Sequence, residues 1–376
     1  MPDTQTPFGM ETNVTSLDVE LLKREVGQRF PFYDIKSSLN TVVFFCRIDI
    51  ETLEEKFDSL RRSLIEKEYI PMLRHEKGED LIYVIHKPKI KKKPIWINIA
   101  LLIATIITTT IAGAIQWIGI DGVDWGFILT PSYLLDGFIF FSVPLLLILG
   151  IHEMGHYFTS KKHNLDASLP YFIPLPPPFI LGTFGALIST REPIPDRKTL
   201  LDVGVSGPIL GFLVAIPVCF LGFFLMQQNP VSMPDTGGGF VIVYPLILQW
   251  VDTFFTIPEN AIIHPTLFAG WVGIFLTAVN LLPIGQLDGG HVVRALLKDK
   301  QKYVSWAVVF IIVGLSLFYT GWLWFAFIIL FLIGTRHQPP LNEISPLDSR
   351  RILLGILALI VFILCFAPIP IAVQGM

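Results

Sequence analysis

Cysteine, charge and targeting signals are all scarce in this chain of 376 residues, and each scarcity excludes a class of protein. The three cysteines, Cys46, Cys219 and Cys365, form no CxxC pair, so neither a disulfide framework nor a zinc-thiolate site is expected. Charged residues make up 16% of the chain, and a net charge of −3 offers no basic face for nucleic acid. Residues 1–20 lack the basic and apolar regions of a signal peptide, and they are acidic where a transit peptide would be rich in arginine.

Hydrophobic residues, in contrast, make up 52% of the chain, and the mean hydropathy is +0.60. These values are typical of a multi-pass membrane protein embedded in a lipid bilayer. The first span is expected to act as an uncleaved signal in a prokaryotic-type cell membrane. We predict about seven spans, at 95–117, 134–160, 203–226, 266–284, 303–319, 321–335 and 352–373.

The positions of lysine and arginine predict the orientation of these spans. Neither residue occurs in 94–160, 199–293, 303–335 or 352–376. With seven spans, every basic loop residue lies on the side of the N-terminal segment, which is therefore predicted to be cytoplasmic. The apolar segment 240–255 would break this pattern if it crossed the membrane, so we predict that it does not cross; whether it dips into the bilayer is left open.

Residues 1–88 are predicted to form a small soluble α+β cap on the cytoplasmic side. Helical periodicity covers 17–30 and 51–69, whereas 41–48, 70–74 and 81–86 have the pattern of strands. The cap contains no catalytic constellation, so it is interpreted as either a docking and regulatory domain or a solubilising cap. The fold class is therefore mainly α, with a transmembrane domain over 94–376 whose core is 134–300.

One motif with chemical meaning, His152-Glu153-Met154-Gly155-His156, lies at the end of the second apolar segment. On a helix, His152 and His156 are one turn apart and can bind one Zn²⁺, while Glu153 can take a proton from a metal-bound water. A pair of packed helix histidines is the alternative, but buried ionisable groups in a membrane helix are usually functional. Counted back from Lys161, the metal would lie roughly 13 Å inside the cytoplasmic membrane boundary.

A third zinc ligand is expected, because catalytic zinc usually takes three ligands from the protein. Asp288 is the ionisable residue in a suitable position, within the sequence NLLPIGQLDGGH that begins at Asn280. Pro283 and the glycines permit irregular backbone, which is tolerated at membrane depth only where protein or water satisfies it. Asp288 is therefore predicted to face the two histidines from a neighbouring helix.

HEMGH followed by NLLPIGQLDGGH resembles the paired signatures of the site-2 protease family (M50-type) of intramembrane zinc metalloproteases. The sequences GTFGA at 182–186, PDRKTLLD at 195–202 and RHQPP at 336–340 are similar to the chloroplast subgroup called ethylene-dependent gravitropism-deficient and yellow-green. The resemblance implies one Zn²⁺ on His152, His156 and Asp288, with Glu153 as the catalytic base. It implies that Asn280 is a catalytic oxyanion donor. It also implies membrane-protein substrates, often single-pass regulatory proteins.

Residues 164–200 contain an apolar stretch too rich in proline and glycine for a spanning helix. We predict a re-entrant or β-hairpin segment near the zinc, in which Gly182 and Gly185 let an unwound substrate strand approach. A proline-stiffened hydrophobic plug is the alternative. His291, one turn after Asp288, is predicted to support the metal site indirectly.

These patterns predict an intramembrane zinc endopeptidase that cleaves single-pass proteins near the cytoplasmic face. Two other functions are possible alternatives: a metal-binding transporter or sensor, and an inactive membrane scaffold. A transporter should carry further ionisable residues along a path across the membrane, whereas here they gather at one depth. A scaffold is disfavoured because all the expected chemical residues are present.

Overall fold

The computed structural model describes residues 17–88, 92–118, 126, 130–177, 179–228, 240–258 and 261–373. These residues divide into two compact units. The first contains residues 17–88 and Pro340–Pro346, and the second contains the remaining described residues. Residues 89–91, and parts of the predicted loops 118–133 and 227–262, lie outside the described residues.

The first unit is an α+β structure, as the sequence predicts. Its elements are α1 (Val19–Gly27), β1 (Phe32–Ser37), β2 (Thr41–Cys46), α2 (Ile50–Glu66), β3 (Tyr69–Glu76) and β4 (Glu79–His86). The antiparallel sheet has the order β1-β2-β4-β3. The strand β1 was not predicted, because its pattern of exposed residues lacks a buried face.

The core of this unit lies on one face of the sheet. Val42, Phe44 and Cys46 alternate along β2 and are all buried, which is the period of two expected for a half-buried strand. Asp49 caps the start of helix α2, and its carboxylate accepts a hydrogen bond from the Glu51 backbone amide. The buried residues of the helices and strands form one apolar cluster.

A short segment from far along the chain completes the edge of this sheet. Asn342 forms a parallel bridge with Leu73 of β3, and the Leu73 amide donates to the Leu341 carbonyl at 2.7 Å. The Leu341 side chain is 2% exposed and belongs to the same apolar cluster. Pairing between residues so distant in sequence has no local signal, and the sequence did not reveal it.

The second unit is mainly helical, as predicted. Its helices are α3 (Trp96–Ile118), α4 (Pro131–Lys162, with a π-helical turn at Phe138–Ser142), α5 (Arg197–Gln228), α6 (Leu246–Asp252), α7 (Pro265–Asn280), α8 (Asp288–Leu297), α9 (Gln301–Leu315), α10 (Gly321–Ile328, continued by a π-helical turn at Ile329–Ile333) and α11 (Ser349–Cys365). Its strands are β5 (Tyr171–Pro174), β6 (Thr183–Leu187), β7 (Phe240–Ile242) and β8 (Ile371–Val373).

Within the described residues, three helices are long and apolar enough to cross a membrane, namely α3, α4 and α5. Two further apolar helices, Pro265–Asn280 and Gly321–Phe331, are shorter. The count of about seven spans, and their orientation, therefore remain predictions. The last predicted span, 352–373, ends earlier than expected, because the helix stops at Cys365 and the chain continues into β8.

Two pairs of short strands also belong to this unit. Strands β5 and β6 pair antiparallel within the segment 164–200 that is predicted to be re-entrant or a β-hairpin. Strands β7 and β8 also pair antiparallel. Because β7 is followed by the seven-residue helix α6, the segment 240–255 contains no helix long enough to cross a bilayer, in agreement with the sequence interpretation.

Candidate metal centre

Helix α4 carries the HExxH motif near its C-terminal end, and the side chains of the two histidines and the glutamate are all buried. His152, Glu153 and His156 are 6%, 7% and 5% exposed. The spacing of four residues brings the two imidazoles to the same side of the helix, where their Nε2 atoms are 3.2 Å apart. The predicted pair is therefore present in the predicted arrangement.

Asp288 reaches this pair from the start of helix α8. After α7, the chain turns through 281–287, and Gly285 adopts a positive φ of 47°. A side chain at Gly289 or Gly290 would overlap backbone carbonyls of this turn, so the sharp return requires glycine at both positions. The Asp288 Oδ2 atom then lies 3.4 Å from His152 Nε2 and 3.3 Å from His156 Nε2.

The three ligand atoms fit zinc. Their separations of 3.2, 3.3 and 3.4 Å form a nearly equilateral triangle. Ligands about 2.0–2.1 Å from a tetrahedral zinc ion are about 3.3 Å from one another, so the triangle matches one face of that tetrahedron. Among the described residues, these three side chains form the one group of three or more possible ligands that could hold a metal ion. Two neutral imidazoles and one carboxylate are a typical catalytic zinc donor set.

Glu153 and Asn280 lie beside the triangle. The Glu153 Oε1 atom is 4.0 Å from His152 Nε2, close to the metal position, and the Ile188 backbone amide is a hydrogen-bond partner of its carboxylate. Asn280, the last residue of α7, places its Nδ2 atom 3.3 Å from His152 Nε2. The structure thus gathers all the predicted catalytic and metal-binding residues at one point.

A small cavity of about 60 Å³ adjoins the centre. It lies between α4, α7 and the strand β6, and it is lined by His152, Glu153, Asn280, Ile148, Leu149, Phe184, Gly185, Ala186, Gly273, Leu276 and Thr277. Gly185 has a φ of 102°, and open space surrounds the position a Cβ would take. One of the two predicted substrate-binding glycines therefore faces the cavity.

Gly182, the other glycine predicted to bind substrate, packs against helix α3. A Cβ there would lie 2.6 Å from the Thr108 carbonyl oxygen of α3, and the Thr108 hydroxyl donates to the Gly182 carbonyl at 2.6 Å. At the other end of the hairpin, the Asn98 amide donates to the Leu169 and Pro170 carbonyls at 2.9 and 3.0 Å. Helix α3 therefore anchors the hairpin at both ends, and Gly182 belongs to this anchor rather than to the cavity lining.

His291 packs beside the turn that carries Asp288. Its Nδ1 donates to the Leu287 carbonyl at 3.0 Å, and its ring contacts the His337 ring with centroids 4.5 Å apart. In the described part of the chain it makes no hydrogen bond to the Asp288 carboxylate. Burial lowers the pKa of His337 to about 3, so this loop histidine is neutral at physiological pH.

Helix α5 supports the centre in a way that the sequence analysis did not foresee. The Val203 carbonyl accepts a hydrogen bond from His156 Nδ1 at 2.8 Å. The preceding residue, Asp202, accepts two hydrogen bonds from Arg351 of α11, at 2.9 and 2.6 Å. Asp202 also pairs at 3.0 Å with Nε2 of His163, which caps helix α4. These bonds tie α4, α5 and α11 together close to a metal-binding histidine.

Two histidines and an adjacent glutamate on a long apolar helix, with an aspartate facing them from a second helix, form a metallopeptidase type of site. The family comparison agrees: residues 140–319 match Peptidase family M50, and this region contains all four of these residues. Residues 140–319 are therefore similar to members of that family.

Curated relatives of this chain include plant proteins. The chain is 30% identical over 256 residues to "Probable zinc metalloprotease EGY1, chloroplastic" of Arabidopsis thaliana, covering 63% of this chain and 44% of the relative. It is 24% identical over 233 residues to EGY2 of the same plant, covering 61% and 41%. It is 26% identical over 292 residues to EGY3 of Oryza sativa subsp. japonica, covering 69% and 48%. The chain thus matches less than half of the length of these relatives, and no solved structure matches it.

Proposed function

We propose that this protein is an intramembrane zinc endopeptidase that cleaves membrane-embedded segments of single-pass membrane proteins. The observation that carries the proposal is the zinc-sized triangle of ligand atoms beside Glu153, on a helix apolar enough to cross a bilayer. The names of the relatives support a protease. Lys161 and Lys162 end this helix, and the positive-inside rule therefore favours cleavage near the cytoplasmic face.

The side chains of the centre have separate chemical roles. Zinc bound at this site would supply a Lewis acid that lowers the pKa of water and polarises a carbonyl. Glu153 accepts the proton of the attacking water and returns it to the nitrogen that leaves when the peptide bond breaks. The Asn280 amide donates a hydrogen bond to the carbonyl oxygen as negative charge develops there.

The substrate is expected to bind as an extended strand. A helix uses its carbonyls in internal hydrogen bonds, so a transmembrane helix must unwind before one of them can be attacked. Strand β6 pairs with β5 on one edge, and in the described structure no strand occupies its other edge. Because Phe184, Gly185 and Ala186 of β6 line the cavity, a substrate strand added at this edge would lie next to Glu153.

The test is cleavage of a model single-pass protein by the purified protein in zinc-containing liposomes. We expect wild type to cleave it and a chelator to stop cleavage. Glu153→Gln should keep one zinc per chain and lose turnover by about a hundredfold or more, because it removes the base and no ligand. Full activity of this variant would contradict the assigned role of Glu153. Zinc movement across the liposome membrane without cleavage would favour a transporter.

A further inference from the structure

One face of helix α5 consists of glycines where it meets the histidines of the centre. Gly204, Gly207 and Gly211 follow one another at spacings of three and four residues, so they share one side of the helix. All three are buried. Without side chains, they let the α5 backbone approach its neighbours unusually closely.

The atoms that side chains would meet at these positions belong to histidines. A Cβ at Gly207 would overlap His156 Nε2 and lie 2.6 Å from its Cδ2 and Cε1 atoms. A Cβ at Gly211 would lie 3.1 Å from His152 Nδ1, and one at Gly204 would lie 2.7 Å from the His291 Cβ. The closest approach thus involves the ring of a metal-binding histidine.

Helix α5 also fixes the orientation of the His156 ring through a hydrogen bond to its Nδ1 atom. A carbonyl can only accept a hydrogen bond, so the 2.8 Å contact to Val203 requires the proton on His156 Nδ1. In the neutral ring, the unprotonated Nε2 then points at His152 and Asp288. Val203 precedes Gly207 by one helical turn, so consecutive turns of α5 control the tautomer and the plane of one ring.

We propose that Gly207 is a positioning residue for the zinc ligand His156, and that Gly211 does the same, with more room, for His152. The inference rests on the zinc site of the proposed function. It assigns to these glycines a role beyond helix packing, because the atom that a larger residue would displace is a ligand. Gly207→Ala should therefore move His156 away from the triangle that fits zinc.

Other glycines of the same chain provide matched controls. A Cβ at Gly222, also on α5, would meet the backbone and Cβ of Leu267 on α7, so Gly222→Ala is an equally severe change away from the metal centre. A Cβ at Gly314 on α9 would meet nothing within 4 Å. Gly314→Ala should therefore be harmless.

The first measurement is zinc affinity of the full-length protein in detergent, by competition with a chromogenic chelator. We expect Gly207→Ala to weaken zinc binding by roughly ten- to a hundredfold, as changes to groups that orient metal ligands do. Gly314→Ala should bind zinc like wild type, and Gly222→Ala should keep zinc even though its thermal midpoint falls. Unchanged zinc affinity in Gly207→Ala would overturn the proposal.

The second measurement needs no metal and separates positioning from packing. In the zinc-free protein, Gly207→Ala is expected to lower the thermal midpoint because the new methyl group meets the His156 ring. In a His156→Ala background, the same substitution should cost much less, since the ring is gone. An equal fall in both backgrounds would show that Gly207 serves helix packing alone. If wild type itself bound no zinc, the proposed function would fail, and this cycle would still test the contact.

Discussion

Asp288 and Asn280 both face the metal centre, but we expect their substitutions to impair different properties, namely zinc binding and turnover. A neutral amide is a poorer zinc ligand than a carboxylate, so Asp288→Asn should weaken zinc retention and activity together. Asn280→Ala removes a hydrogen-bond donor and no ligand, so it should keep zinc and lower turnover by about a hundredfold. Metal content and single-turnover rates, measured on the same preparations, separate the two effects. If Asp288→Asn holds zinc as tightly as wild type, the third ligand is another group.

A different residue-scale effect is expected in the first unit, at Glu25. Hydrogen bonds from Lys67, Ser63 and Arg29 outweigh burial and lower the pKa of the 6% exposed Glu25 to about 2 from an ordinary value of 4.5. A lowered folded-state pKa stabilises the fold above pH 4.5, and this contribution is lost as the pH falls from about 4.5 to about 2.

Glu25→Gln should therefore reduce the stability of this unit near neutral pH by on the order of 2 kcal/mol, and by progressively less towards pH 2. Hydrogen exchange of α1 and α2 in the full-length protein, at pH 6.5 and 3.5, measures the change. The control is Glu20→Gln, because the exposed pair of Glu20 with Lys23 should contribute little. An equal loss of protection at both pH values would contradict the assigned pKa of Glu25.

At the scale of elements, the group formed by Asp202, Arg351 and His163 should hold three helices together. Asp202→Ala leaves the partly buried Arg351 guanidinium with Asp348 as its remaining carboxylate partner, so we expect destabilisation of about 1–3 kcal/mol. Arg351→Ala should cost a similar amount, and the double variant should cost less than the sum, because the two residues share one interaction. Thermal unfolding of the four proteins in detergent provides the cycle. Additive losses would mean that the pair contributes nothing through its mutual contact.

The elements differ in how far the sequence could predict them. Helix α4 and its motif follow from local rules, since an apolar run predicts the helix and the i, i+4 spacing predicts the histidine pair. Asp288 was predictable because few ionisable residues lie in the apolar half of the chain. The contact of Gly207 with His156 was not, because a glycine spacing shows that something approaches closely without showing what.

The pairing of β3 with the segment at Asn342 was equally invisible. Those residues are separated by most of the chain, and no local periodicity records a single parallel bridge. The contact of Gly182 was unpredictable for the same reason, because its partner Thr108 lies on helix α3, far away in the sequence. Contacts between residues that are far apart in the sequence are therefore the part of the structure that could not be predicted.

At the scale of the whole molecule, the two units are connected by more than one chain crossing. The chain leaves the second unit after Pro339, contributes Pro340–Pro346 to the sheet edge of the first, and returns at Leu347. Asn342 is 1% exposed there, and its side chain bonds to Ser345. A probe of membrane orientation at this position would report burial rather than sidedness, so exposed positions are needed.

Orientation gives the last prediction, which depends on lysine and arginine placement alone. In a cysteine-free background, single cysteines at the exposed positions Asn164 and Lys300 should react with an impermeant thiol reagent only after cells are opened. Cysteines at the exposed positions Ser132 and Thr256 should react from outside intact cells.

The wild-type protein, which keeps its three native cysteines, should label little and serves as a further control. All three are buried, and burial raises the pKa of Cys46 to about 12, so its reactive thiolate is scarce at neutral pH. The cysteine at Asn164 decides the orientation, because it follows helix α4 directly and reports the membrane side nearest to His152 and His156. Labelling of Asn164→Cys from outside would place that end of α4 at the exterior, and cleavage would then have to occur near the outer face.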